Sequence, residues 1–289
     1  MIYTDMISPV PFVLKSLQLQ FASKRLFTGL IFGAALIGLL PKATATPIVN
    51  LGSASGFAVL AGAGITAAGP ANSTTIHGDI GSFPTQTITG VGNLSLNGVN
   101  HGGDSVTQQG KADLLTAFND ATGRVPTVTF GAIHDLGGAT LTSGVYNDPT
   151  SFGLTGTLTL DGGGNPNAVW IFQAGTTLIT AGSSQVVLTG GAQASHVFWE
   201  VGTSATLGTD SQFAGTILAF SDISLTTGAT VEGRLLAWNG AVTLDHNTIN
   251  AASVPDAGAT VWLLGSGLLA LAFVRGSAQL GRQLQADQR

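Results

Sequence analysis

"GTILAFSDISLTTGATVEGRLLAWNG", residues 215–240, carries one pattern twice. GTILAFSD (215–222) and GRLLAWNG (233–240) each set an apolar pair and then an aromatic behind a glycine. The same pattern reads upstream as AVWIFQAG (168–175) and SHVFWEVG (195–202), so the four starts step by 27, 20 and 18 residues. A shorter echo accompanies them: SSQV (183–186), DSQF (210–213), GATV (228–231) and HNTI (246–249). Such steps fit the coils of a β-solenoid, in which each coil closes its core only by stacking on the next. A sandwich needs tight hairpins between alternating runs, and only Asn97-Gly98 and Asn239-Gly240 offer them.

The rest of the middle region reads as short strands: runs of Thr, Val, Leu and Ile broken by Gly, Asn and Asp, as in GATLTSGVY and SSQVVLTGG. One helix interrupts them, at about 104–122. GDSVTQQGKADLLTAFNDATG supplies Asp104 or Ser105 as N-cap and Val106, Leu114, Leu115, Phe118 and Ala121 at helical spacing, with Gly123 as the stop. The spacing predicts a helix lying with one stripe against a larger body.

Composition excludes several functions. The chain of 289 residues is 44% hydrophobic and only 9% charged, has 41 glycines and has no cysteine. A disulfide framework or thiolate metal site is therefore impossible. Residues 46–253 hold three basic side chains (Lys111, Arg124, Arg234) against twelve acidic ones, a net charge of −9. Nucleic acid and anionic lipid both need clustered Lys and Arg, so neither is an expected partner.

Both ends read as export signals. Lys24-Arg25, the apolar run LFTGLIFGAALIGLL (26–40) and small residues at Ala43 and Ala45 make residues 1–45 a secretory signal peptide, with an uncleaved anchor as the alternative. The region before Lys24 is long for such a signal, which leaves the start codon open. At the other end, VPDAGATVWLLGSGLLALAFVRG (254–276) resembles the PEP-CTERM class of bacterial sorting signals in its VPDSG variant. Val254 to Gly258 form the motif, Ala259 to Val274 the span and Arg275 the stop. The resemblance implies handling by an exosortase-type processing enzyme. A polar tail, 277–289, follows where such signals usually end, and a plain C-terminal anchor is the alternative. Either reading makes the protein secreted or cell-surface, with membrane contact only through the terminal segments.

Five stretches carry a second resemblance: LGSASGFAVLAGAGITAAGPANSTTIHGDIG (51–81), LGGATLTSGVY (136–146), LTLDGGGNPNAVWIFQAGTTL (158–178), SHVFWEVGTSATLG (195–208) and GRLLAWNGAVTLDHNTI (233–249). In order and over about two hundred residues, they resemble the ice-binding-protein family of bacteria, fungi and diatoms. The resemblance implies a mainly β fold: a right-handed, discontinuous parallel β-helix with one long α-helix packed alongside. It also implies that the N-terminal segment joins coils supplied by the C-terminal part, over a domain spanning 46–253.

Catalytic chemistry finds no footing in the sequence. His77, His101, His134, His196 and His246 share no metal-ligand spacing, and the acidic residues fall in turn contexts such as Asp148 and Asp161. A polysaccharide lyase on a solenoid would need clustered carboxylates and a basic residue beside them. No catalytic residue, metal or cofactor is expected. The candidate surface is instead hydroxyl-rich. Family members often carry Thr-(Ala/Gly)-x-(Thr/Asn) on their binding face, and Thr227-Gly228-Ala229-Thr230 matches in full. Thr180 to Ser183 and Thr206 to Thr209 match in part, and the repeat sets Thr209 beside Thr227 and Ser211 beside Ala229. Thr203, Ser204, Thr226, Thr243 and Thr248 are weaker candidates. The expected partner is ice or an ordered water surface. The alternative is an adhesive or matrix module on the same fold, contacting exopolysaccharide.

Overall fold

A computed structural model describes residues 46–251. The expected signal peptide, sorting segment and polar tail lie outside the described residues. Within them, short strands stack in parallel around a three-faced prism, and a helix, Ser105–Thr122, lies along one face. The fold is the expected mainly β solenoid with one helix.

The stacking order departs from the chain order. One face is an eight-stranded parallel sheet running Ile88–Thr89, Ile65–Ala68, Val242–Asp245, Ile223–Leu225, Ala205–Leu207, Leu178–Thr180, Phe152–Leu154 and His134–Asp135. Two strands from the N-terminal segment thus extend a ladder whose next rung comes from near residue 245. The chain then leaves that end, runs down the prism as the helix and climbs back coil by coil. This is the discontinuity implied by the family resemblance.

The repeated apolar pair now has a cause. In Trp170–Ala174, Val197–Val201 and the second halves of Gln212–Ala219 and Thr230–Ala237, one member of each pair faces the prism interior. Phe172, Trp199, Ile217 and Leu235 form that inward row, in register. The other members, Ile171, Phe198, Leu218 and Leu236, face outward and pack with Leu114, Ala117, Phe118 and Ala121 of the helix. A strand covered on both sides reads as a continuous apolar run rather than an alternating one. The register also corrects the alignment: Phe198 sits opposite Thr216 and Trp199 opposite Ile217, so GTILAFSD is two residues out against SHVFWEVG. Both later coils therefore step by 18 residues, and Phe220 stays exposed against Phe118 instead of entering the core.

Gly215 and Gly233 stand side by side where two long strands bend from one face to the next, at φ 115° and 155°. A Cβ on Gly233 would sit 1.9 Å from the Gly215 carbonyl oxygen, so the bend admits no side chain.

The helix is held at both ends and in the middle. Asp104 caps it by accepting from the Thr107 N–H at 2.9 Å. The Gln173 amide donates to the carbonyls of Ala121, Thr122 and Arg124, satisfying the C-terminal turn from the sheet below. Lys111 is 4% exposed. Its ammonium donates to the carbonyls of Ala237 and Trp238 and lies 4.8 Å from the Trp238 ring. Burial pushes it down to about 7, while these three partners favour the charged form. Val106 and Leu115 are not on the buried stripe.

Glu200 is the costly residue under the helix. It is 5% exposed, and burial pushes its carboxyl up to about 7 from the usual 4.5. The folded chain thus holds a proton that the unfolded chain releases between those values. The Glu200 contribution to stability is full below pH 4.5, falls as pH rises to about 7 and stays lower above it. Glu200→Gln is expected to flatten that dependence and to raise stability at pH 8.5 by about 2–3 kcal/mol, with little change at pH 4. Urea unfolding at the two pH values checks it; equal gains at both would show that ionisation is not the cause.

Candidate functional site

On the eight-stranded face, side chains alternate between core and solvent. Ile65, Val242, Ile223, Ala205, Leu178 and Phe152 point inward and are at most 1% exposed. The residue after each points outward. Read across the coils, that outward row is Thr89, Thr66, Thr243, Ser224 and Thr206, then Ile179, Gly153 and Asp135. Five successive coils therefore place a hydroxyl at the same point, at the ~4.7–4.9 Å repeat of a ladder.

Further hydroxyls flank the row and are tied to backbone or to one another. Thr226 donates to the Leu207 carbonyl at 2.9 Å, and Thr209 donates to Thr226 Oγ1 at 3.2 Å. Ser151 lies 2.8 Å from Thr177 Oγ1, and Thr203 donates to the Thr176 carbonyl. The carboxylates on this side are occupied: Asp222 accepts from the Ala241 N–H at 2.8 Å. Asp245 accepts from Thr227 Oγ1 at 2.5 Å and lies 2.6 Å from His246 Nδ1, and these two contacts hold its carboxyl below the usual range.

The full Thr-Gly-Ala-Thr match lies at an edge, not on a face. Thr227 is exposed at the corner and tied to Asp245. Gly228 turns the chain at φ 79°, beside left-handed Asp210 and His246, with Ser183 in the same conformation one coil further on. Ala229 is 0% exposed, and Thr230 opens a strand on the next face. Two small polar residues and a left-handed one are what such a corner needs, so here the motif doubles as turn chemistry.

Three expected contact residues point the wrong way. Ala229 is joined by Ser211 at 1% and Thr180 at 3% exposure; all three face the interior. The expected neighbours are right in register, since Gln212 pairs with Thr230, but parity turns Ser211 and Ala229 inward. Thr180 Oγ1 instead accepts from the Gly208 N–H at 2.9 Å. Of the rest, Thr206 is in the outward row, and Thr209, Ser183 and Thr227 line the corner. The outward row also holds Thr66, Thr89 and Ser224, which the sequence did not single out, and Thr243, which stood only as a weaker candidate. The signal was alternation in ITAA (65–68) and TIT (87–89), and it became readable only with the stacking order known.

The other faces differ. Thr230 continues into Thr248, Thr75 and Ser95, but the row beside it is Glu232, Asn250, His77 and Asn97, long and partly charged. The helix covers the remaining face. Among the described residues no three His, Cys, Asp or Glu side chains gather as a metal site. His101 stands between Asp104 at 3.0 Å and Asp79 at 3.3 Å, chiefly Asp104 raising its pKa, and serves the helix cap.

Comparison with known proteins agrees with this architecture. A family model described as ice-binding-like matches residues 59–250, and one described as a VPDSG-CTERM motif matches residues 253–275, where Ala257 stands in place of Ser. An ice-binding protein of a Nostoc species is 43% identical over 242 residues, covering 80% of this chain and 88% of that protein. One from a Colwellia species is 36% identical, covering 79% and 93%. Among solved structures, an ice-binding protein of the Antarctic ascomycete Antarctomyces psychrotrophicus superposes with a TM-score of 0.67 at 43% identity, covering 72% of this chain and all of that one. Matched through nearly the whole β-helix in sequence and in structure, the chain belongs to the ice-binding-like family and carries a VPDSG-type C-terminal sorting motif.

Proposed function

We propose that the protein is an exported, non-enzymatic ice-binding protein that adsorbs to ice through the row Thr89, Thr66, Thr243, Ser224 and Thr206. The observation that carries this reading is the unbroken run of five hydroxyls in register on one parallel sheet. Threonine is stiff at χ1, so each side chain presents a methyl and a hydroxyl in a set direction at small further entropic cost. The ladder fixes their spacing, the methyls shed loose water and the hydroxyls anchor the rest. Long charged side chains, which would spoil such a lattice by motion and hydration, are absent from these five positions. Family membership supports the same reading, since its named relatives are ice-binding proteins. Ile179 ends the hydroxyl run, which limits the contact to part of the face and the activity to a moderate level.

In this reading residues 1–45 are a signal peptide, 46–253 the ice-binding-like domain, 254–276 the sorting signal met by an exosortase-type enzyme, and 277–289 a tail. Thermal hysteresis and crystal shaping test the function. The folded protein is expected to facet a growing crystal; round, unshaped growth at saturating protein would sink the proposal. The sorting motif favours one competing reading, a matrix module that holds exopolysaccharide. Retention on extracellular matrix without any effect on ice is the result that would favour it.

A further inference from the structure

At the C-terminal end of the helix, away from the hydroxyl face, a half-open cleft of about 340 Å³ is lined by Phe118, Thr122, Asn147, Gln173, Glu200 and Phe220, among others. Asn147, Gln173 and Glu200 lie side by side on adjacent strands, in the same outward row that continues as Leu218, Leu236 and Leu60. The leucines seat the helix. Where the row turns polar, the helix ends and the cleft opens, with Glu200, 5% exposed, at its floor.

A buried carboxylate normally has a cation against it. Among the described residues Glu200 forms no ion pair. Its hydrogen-bonding neighbour is Thr122. Of the charged groups on the surrounding elements, Arg124 binds Asp120 at 2.9 and 2.7 Å, Asp148 accepts through Oδ1 from the Thr150 N–H and hydroxyl, and Arg234 donates to the Ser55 carbonyl. Two further features of the cleft share the carboxylate's sign. A helix C-terminus carries partial negative charge, and aromatic faces are electron-rich. The Phe118 and Phe220 rings lie 6.0 Å apart, tilted by 52°. A hydrated metal ion gains nothing from two phenyl rings, whereas a cation with an apolar shell does.

We propose that this cleft binds a small alkylated ammonium ion, its charge against the Glu200 carboxylate and its methyl groups against Phe118 and Phe220. The site is independent of the ice-contact reading and does not share its residues. The volume is at the small end of ligand pockets, which suits a compact cation. Binding requires the ionised carboxylate, and burial pushes Glu200 up to about 7, so affinity rises with pH through that value.

Calorimetric titration of the full-length protein with tetramethylammonium chloride tests this, at constant ionic strength. Saturable binding is expected at pH 8.5, about tenfold weaker at pH 6. Glu200→Gln should abolish it, and Phe220→Leu, at an exposed position, should weaken it severalfold while leaving the melting curve intact. No saturable binding by the parent at pH 8.5 overturns the proposal. So does equal binding by Phe220→Leu or of neutral tert-butanol, or competition by sodium at equal concentration, which would mark a simple alkali-ion site.

Discussion

Thr243→Tyr is expected to cut thermal hysteresis to about a tenth of the parent value while leaving the fold intact, as a bulky group at the centre of a contact surface does. Thr243 is exposed, and its neighbours in the row are Ser224 and Thr66. A phenol there stands above the plane of the hydroxyls and holds the flanking rungs away from a flat crystal. Thr66→Tyr should act alike, although residue 66 is far from 243 in sequence. Thr230→Tyr, on the neighbouring face, is expected to retain most activity. The contrast between Thr243 and Thr230 separates the flat row from the corner that the Thr-Gly-Ala-Thr match picks out.

Trp199→Ala carries the largest expected loss of stability, about 5 kcal/mol, measured by urea unfolding. The indole is 1% exposed, stacks on Phe172 at 3.9 Å and 9°, and touches Phe213 at 5.0 Å. Its Nε1–H donates to the Ala214 carbonyl at 3.1 Å. Removing it leaves a cavity in a middle coil, takes the indole donor from the Ala214 carbonyl and strips Phe213 of its ring partner, while Phe172 keeps Tyr146 and Phe152. Total stabilities of domains are about 5–15 kcal/mol, so this substitution consumes a large part. Trp199→Phe keeps the stack and should cost only about 1–2 kcal/mol. A loss below about 2 kcal/mol for the alanine variant would mean that the coil interior repacks freely.

The parts of the fold that were legible in the sequence are those set by local chemistry. The apolar pairs marked core-forming strands, though not that one member of each pair packs on the helix, and Asp104 marked the helix start because a carboxylate there satisfies an open N–H. Lys111 was opaque, since a lysine reads as solvent-facing until two carbonyls and an indole surround it. The hydroxyl row depended on parity. Thr180 is third in LIT and faces inward; Thr206 is second in ATL and faces outward. One residue of register reverses a side chain, and composition is blind to that. The row also crosses from Thr243 to Thr66, a join set by stacking rather than by chain order. The corner motif was prominent because small residues and a left-handed turn recur there, coil after coil.

The most direct test of the ice-contact face is partition into a slowly grown ice crystal, with the parent, Thr243→Tyr and Thr230→Tyr labelled and mixed in one solution. The parent and Thr230→Tyr are expected in the ice fraction and Thr243→Tyr in the liquid. Enrichment of Thr243→Tyr in the ice, with Thr230→Tyr left behind, would contradict the assignment and move the contact to the neighbouring face.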